Sequence, residues 1–142
     1  MRNKMRGVTL IELVVVVAIV ALLATIALPS YRQFLLRSHR VEAKAALLNV
    51  AAAQEKFYLQ NNTYTTELAD APPDGLGLAA TTENGYYTIA IGAADADSFT
   101  ATATAAGGQA DDTHCANFTI DETGLKTATD SSNAAVTDCW AR

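Results

Sequence analysis

The chain has 142 residues, half of them hydrophobic, with 15 acidic against 10 basic side chains and a formal net charge of −5. Once a long apolar stretch near the N-terminus is set aside, that length leaves room for one small domain. The acidity opposes a general nucleic-acid-binding role, in which affinity comes mostly from cations meeting phosphates.

Charge is unevenly placed. Arg2, Lys4 and Arg6 open the chain, and taking their three charges from −5 leaves −8 for the remainder. Residues 60–142 hold twelve acids against Lys126 and Arg142, a balance of −10. The other basic residues (Arg32, Arg37, Arg40, Lys44 and Lys56) lie between Pro29 and Phe57. The first three are placed to meet lipid headgroups.

Between Gly7 and Pro29 lie 21 residues with one charge, Glu12, and 14 of the 21 are Val, Ile or Leu. As a helix the stretch is about 31 Å long, the hydrocarbon thickness of a bilayer. Its branched residues favour insertion by roughly 4 to 8 kcal/mol, against a penalty of about 2.5 to 3.5 kcal/mol for one acid at the helix centre. The segment therefore inserts, and the basic residues before it keep the N-terminus cytoplasmic. It is long for a signal-peptide core, and no A-x-A-type cleavage site follows it directly. Neither a signal peptide nor a plain anchor explains Glu12, since intramembrane acids pair with something.

Pro29 falls inside what reads as one long helix, where a proline removes a donor and bends the axis but is tolerated near membranes. From Ser30 to Leu59 the pattern is amphipathic, with Phe34, Val41, Ala45, Leu48, Ala52 and Leu59 at helical spacing and Arg32, Arg37, Arg40, Glu42, Lys44, Glu55 and Lys56 as polar positions. Val8 to Leu59 would span about 78 Å. The first half cannot pack on so small a head, so it must contact lipid or other copies.

Gln60 to Tyr64 is polar and ends the helix. Residues 65–84 read as loop, with Pro72-Pro73-Asp74-Gly75 a strong turn signal. Strands follow at Tyr86–Ile91, Ser98–Ala105 and Ala116–Ile120, and Asp121 to Gly124 turns the chain into Leu125-Lys126-Thr127. Tyr87, Ile89 and Ile91, then Phe99, Ala101, Ala103 and Ala105, then Phe118 and Ile120 form one apolar face, with the threonines on the solvated face. The helical stripe is the available cover for it. Asp130 to Trp140 is polar coil.

Two cysteines, Cys115 and Cys139, allow one pairing. A chain delivered beyond the cytoplasmic membrane meets an oxidising compartment, so a disulfide is the default. It would close a loop of about 25 residues and contribute roughly 3 kcal/mol. Metal binding, with His114 beside Cys115, is the competing reading, but neither a second histidine nor a C-x-x-C supports it. Trp140, beside Cys139, reads as a packing residue. His39, on a basic helix, reads as solvated. No catalytic, nucleotide, metal or cofactor pattern appears, so an enzyme is not expected.

Gly7-Val8-Thr9-Leu10-Ile11-Glu12-Leu13, with the apolar run and Pro29, resembles the class III signal of type IV pilins and pseudopilins. Ala43 to Leu48, Ala53 to Tyr58, Asn61 to Thr65, a strand from Phe99 to Gln109, Cys115, the Asp121–Gly124 turn and Cys139-Trp140 resemble PilE/ComP-like minor pilins. The resemblance implies an α+β pilin fold: a long N-terminal helix packed on a four-stranded antiparallel sheet, with a disulfide-closed C-terminal region. It implies a leader over 1–7, a membrane and filament-core helix over 8–29, an amphipathic half over 30–59 and a head over 60–142. It further implies prepilin peptidase cleavage after Gly7, N-methylation of Val8, extraction from the inner membrane by an assembly platform, and packing with other subunits in an extracellular pilus. Glu12 would accept the α-amino cation of Val8 from its own or a neighbouring chain and set docking register. Such a minor pilin supports motility, adhesion or DNA uptake. Two alternatives stand beside it. A ComP-type DNA receptor is opposed by the acidic head unless Lys126, Arg142 and the few helix basics form a local patch. A type II secretion pseudopilin typically closes its C-terminal region with calcium rather than a disulfide. Two positions depart from the family: Val8 replaces the usual Phe, and Ala21 a frequent Gly, which should resist helix loosening by roughly 1 kcal/mol.

Overall fold

The structure, a computed structural model, describes residues 7–141. The leader up to Arg6, and Arg142, lie outside the described residues. The chain divides into two units, one up to Leu35 and one from Leu36 onward.

Helix α1 runs from Leu10–Asn61, 52 residues with Pro29 inside it. Its composition favours this: beyond Pro29 no proline or glycine interrupts it, and alanine is abundant. It ends two residues past the expected Leu59. Asn62 takes a left-handed φ of 52° and donates its amide to the Tyr58 carbonyl at 2.8 Å, while the Asn61 side chain donates to the Phe57 carbonyl at 3.1 Å. Asparagine tolerates that conformation, so the polar run caps the helix as expected.

The second unit holds a four-stranded antiparallel sheet in the order β1-β2-β3-β4: β1 (Tyr87–Ala94), β2 (Phe99–Ala105), β3 (Asn117–Asp121) and β4 (Lys126–Thr129). The expected alternation holds. Tyr87, Ile89, Phe99, Ala101, Ala103, Phe118 and Ile120 are buried on one face with Ala128, and Thr100 and Thr104 are exposed on the other. β1 outruns its expected end at Ile91 because a bulge at Gly92 absorbs one residue and lets pairing resume at Ala93. The expected strand to Gln109 is corrected: β2 stops at Ala105, and Gly107–Asp111 forms a short 3-10 helix that buries Gln109.

The predicted helical stripe is also corrected. The face of α1 that meets the sheet is Arg40, Ala43, Leu47, Val50 and Gln54. Val41, Leu48 and Leu59 remain exposed, Val41 by 63%. The helix carries two parallel stripes about 100° apart, one residue's rotation, and the sheet takes the one with the smaller and more polar members. Ala43 allows close approach. Gln54 is satisfied by both backbone groups of Thr65, donating to its carbonyl at 2.6 Å and accepting from its amide at 3.0 Å. Arg40, read as a polar surface position, is buried because Asp112 pairs with it.

The loop between α1 and β1 is ordered by its own backbone. Leu76 N–H reaches the Glu67 carbonyl at 2.9 Å and Leu78 N–H that of Leu68 at 2.8 Å. Gly75 has no alternative, because a Cβ there would meet the carbonyls of Asp70 and Glu67 at 2.6 Å. The chain then covers both sheet edges: Ile89 N–H donates to Ala80, and on the far side Val136 N–H donates to Ala128. Unpaired edges invite association, so both are blunted.

Candidate functional site

Gly7, Val8 and Thr9 precede α1. Thr9 and Glu12 form a reciprocal cap: the Glu12 amide donates to Thr9 Oγ1 at 3.3 Å, and Glu12 Oε2 accepts from the Thr9 amide at 3.5 Å. This is the T-x-x-E capping box, satisfying two donors that a helix start otherwise leaves unpaired. It turns the carboxylate back toward the start of the chain, at the positive end of the helix dipole. The spacing is readable in Thr9-Leu10-Ile11-Glu12, but Glu12 read as a charge alone conceals it. The 18-residue apolar window of this segment has no buried share in the monomer. Pro29, 17 positions beyond Glu12, cannot donate to the Thr25 carbonyl. The Thr25 hydroxyl donates to the Leu22 carbonyl at 2.7 Å.

In the second unit the helix is tied to the sheet by a buried polar network. Arg40 Nε and Nη2 donate to Asp112 Oδ2 and Oδ1 at 2.6 and 2.8 Å, a bidentate pair. Gln109 Nε2 lies within donor reach of the Leu36 carbonyl, the Tyr87 hydroxyl and Asp112 Oδ2, at 2.9, 2.9 and 3.2 Å. Burial is the first cause that pushes the Tyr87 hydroxyl up to about 12, with Gln109 opposing. His39 is corrected from solvated to structural. Its ring stacks on Tyr86 with centroids 3.8 Å apart, and Nδ1 sits 3.1 Å from Gln109 Oε1. Only the fold brings residues 39, 86 and 109 together, so no local signal marks them.

Cys115 and Cys139 form the expected disulfide, with Cα atoms 5.9 Å apart. Trp140 packs edge-on against Phe118 at 5.6 Å and donates its indole N–H to the Thr127 carbonyl at 2.7 Å. Two cations meet it: Lys126 Nζ lies 5.8 Å from its ring centroid, and Lys44 Nζ donates to its carbonyl at 3.2 Å. Burial, then Arg40, lowers the Lys44 pKa. A local cationic patch is the condition for nucleic-acid binding by so acidic a head, and Lys126 and one helix lysine do converge here.

The model of the family described as "Type IV minor pilin ComP, DNA uptake sequence receptor" matches residues 29–119, and that of the prokaryotic N-terminal methylation motif matches residues 2–28. The type IV major pilin protein PilA of Myxococcus xanthus is 38% identical over 73 residues, 49% of this chain and 33% of that protein's length. The chain thus spans about a third of that relative. The type IV wide pilus major component PilA4 of Thermus thermophilus is 36% identical over 108 residues, covering 76% of this chain and 79% of that one. Among solved structures, the Neisseria meningitidis non-core minor pilin PilV superposes with a TM-score of 0.54 at 22% identity, over 71% of this chain and 93% of that one, a likeness of fold.

Proposed function

The chain belongs to the type IV pilin family, and from that premise we propose that it is a minor subunit of a type IV pilus. One observation carries the reading furthest: the apolar start of α1 has no buried share in the monomer, while the unit from Leu36 onward has a complete core of its own. Such a segment needs a bilayer before assembly and other subunits after it. Prepilin peptidase cuts after Gly7, Val8 becomes the N-methylated first residue, and the precursor stays in the inner membrane until an assembly platform extracts it into an extracellular filament. Glu12 accepts the α-amino cation of an incoming or neighbouring Val8. Charges that are each expensive in hydrocarbon are strongly attracted there, which fixes register. Pro29 removes one intrahelical donor at the end of the apolar run. The role is structural, and no cofactor is assigned to it.

The test is to shear surface filaments from cells and measure this chain's intact mass and abundance. A trace species beginning at Val8, methylated and two hydrogens lighter for the cystine, is expected. Dominance in the fibres would make it the major subunit, and retention in the inner membrane would replace the reading with a priming or secretion role.

A second reading, a pilus-borne DNA receptor, is favoured by the convergence of Lys44 and Lys126 on Trp140. The acidic balance of residues 60–142 opposes it. Duplex binding by the full chain in detergent, steeply weakened by salt and by Lys44→Ala or Lys126→Ala, would support it. Binding weaker than about 100 µM at physiological salt is no better than nonspecific and would remove it.

A further inference from the structure

One cluster of chemistry-bearing side chains takes no part in assembly or in the buried network. Each half-cystine is preceded by a second potential ligand, His114 before Cys115 and Asp138 before Cys139. One ligand atom from each of the four residues lies within 4.8 Å of all the others. His114 Nε2 is 3.0 Å from Asp138 Oδ1, and Cys139 Sγ is 4.0 Å from that same oxygen. The cysteines are fully buried, and the imidazole and carboxylate are exposed. The cluster thus has two sulfurs at its floor and two harder donors at its mouth. Its floor is held from outside the cluster, since the Cys115 amide donates to Asp112 Oδ1 at 3.4 Å and the Ser131 amide to the Thr113 carbonyl at 2.9 Å.

We propose that, when the cystine is reduced, these four groups form a tetrahedral zinc site with two thiolates, one imidazole and one carboxylate as its donors. With Zn–S bonds of about 2.3 Å, two thiolates of a tetrahedral site sit about 3.8 Å apart. Half-cystine Cα atoms 5.9 Å apart accommodate that separation by side-chain rotation alone. Thiolate and imidazole are zinc's preferred ligands, and a carboxylate completes the count of four. The His114–Asp138 contact already places those two donors side by side.

The two states exchange in balanced steps. One zinc-bound thiolate attacks a low-molecular-weight or protein disulfide, R–S–S–R, and expels RS⁻ with its electron pair. The second thiolate then displaces the other RS⁻, forming the Cys115–Cys139 bond and releasing Zn²⁺. In total two thiolates lose two electrons and the disulfide donor gains them. The reverse direction requires a dithiol reductant, and zinc binding displaces the protons of the two thiols. Metal and cystine thereby close the same loop, so the C-terminal segment holds its place along β4 before oxidation as well as after it.

The probe is Co²⁺, titrated into the full chain in detergent micelles after reduction by a phosphine and removal of the reductant under nitrogen. One Co²⁺ per reduced chain is expected, with thiolate charge-transfer absorption and intense tetrahedral d–d bands. Zn²⁺ displaces it, and the oxidised chain shows none of these features. His114→Ala and Asp138→Ala are each expected to weaken binding by about tenfold or more and to change the d–d bands. Circular dichroism on the same samples reports the fold. If reduction loosens the chain, recovery of the oxidised chain's spectrum on adding Zn²⁺ supports the site. The proposal is overturned if the reduced chain binds no Co²⁺, if Zn²⁺ fails to restore a loosened chain, or if neither variant changes affinity and spectrum, which leaves only an adventitious dithiol site.

Discussion

Val14–Val17 and the trio Leu47, Val50 and Leu68 are the same kinds of branched apolar side chain, yet they end in opposite environments. Every large side chain from Val8 to Val20 is about half exposed or more, whereas Leu47, Val50 and Leu68 are buried beneath the sheet. The difference lies in what surrounds each segment in the chain. From Leu36 onward, strands with matching period-2 patterns, two covered edges and a cystine give the helix an intramolecular partner. Up to Leu35 the described residues form no strand, only helix, and burial of their apolar side chains must come from lipid or from another copy. One helix therefore joins a segment stabilised by assembly to a segment stabilised by folding, and the two should respond to different substitutions.

The largest expected effect is on the first segment. Glu12→Ala should abolish incorporation into sheared filaments while sparing membrane insertion, since removing an acid from an apolar span does not oppose insertion, and leaving head stability unchanged. Normal incorporation of Glu12→Ala subunits would show that docking register does not depend on this carboxylate. Thr9→Val removes the capping hydroxyl but keeps the charge, and so separates the cap from the ion pair.

The second segment fails differently. Asp112→Ala leaves Arg40 buried without its bidentate partner and should destabilise the head by about 3 to 5 kcal/mol. Joint replacement by Arg40→Met and Asp112→Leu should recover part of that, because the uncompensated charge is gone. Chemical denaturation of the full chain in detergent checks both. Loss of less than about 1 kcal/mol in Asp112→Ala would mean that water reaches the guanidinium.

Leu47 and Leu48 put the comparison into adjacent residues. Leu47 is 0% exposed and Leu48 46% exposed. Leu47→Ala should lower the head's unfolding free energy by about 2 to 5 kcal/mol. Leu48→Ala should change it by less than about 0.5 kcal/mol, with its effect appearing instead in filament yield. Equal losses for both would mean that the exposed stripe packs within the monomer.

These pairs also mark how far the sequence could be read. The strands were legible because alternation has a strict period and each strand's apolar face is unambiguous, as in Phe99-Thr100-Ala101-Thr102-Ala103. The start of α1 was legible because 14 branched apolar residues in 21 admit few meanings. The packing face of α1 was not, because it carries two stripes only about 100° apart. Side-chain size pointed to Val41 and Leu48, while the sheet selected Ala43 and Leu47. Burial of Arg40 and Gln54 followed from partners at Asp112 and Thr65, and the first of these is 72 positions away. The surroundings of His39 leave no mark in the sequence for the same reason, since Tyr86 and Gln109 reach it only after the sheet has formed. At Thr9 and Glu12 the signal is local and complete, a T-x-x-E spacing masked only by the acid's place at the edge of an apolar run.

Tyr87 offers the gentlest probe of the head's buried network. Its hydroxyl is held up to about 12, against about 10 in an unfolded chain, with burial the main cause. The neutral phenol is the form the fold prefers. Its contribution is fully present below about pH 10 and is lost as pH rises from about 10 to 12, where the unfolded chain gives up its proton first. The loss should approach about 2 kcal/mol at the upper end. Tyr87→Phe should flatten that part of the stability–pH curve, at about 1 kcal/mol lower stability near neutrality for the hydrogen bond lost with Gln109. Because the network lies wholly within the unit that folds on its own contacts, the alkaline loss should be the same for subunits in micelles and for subunits in filaments. A midpoint that moves upward on assembly would instead place Tyr87 under the control of neighbouring copies, and would blur the division between folding and assembly that the two segments of α1 define.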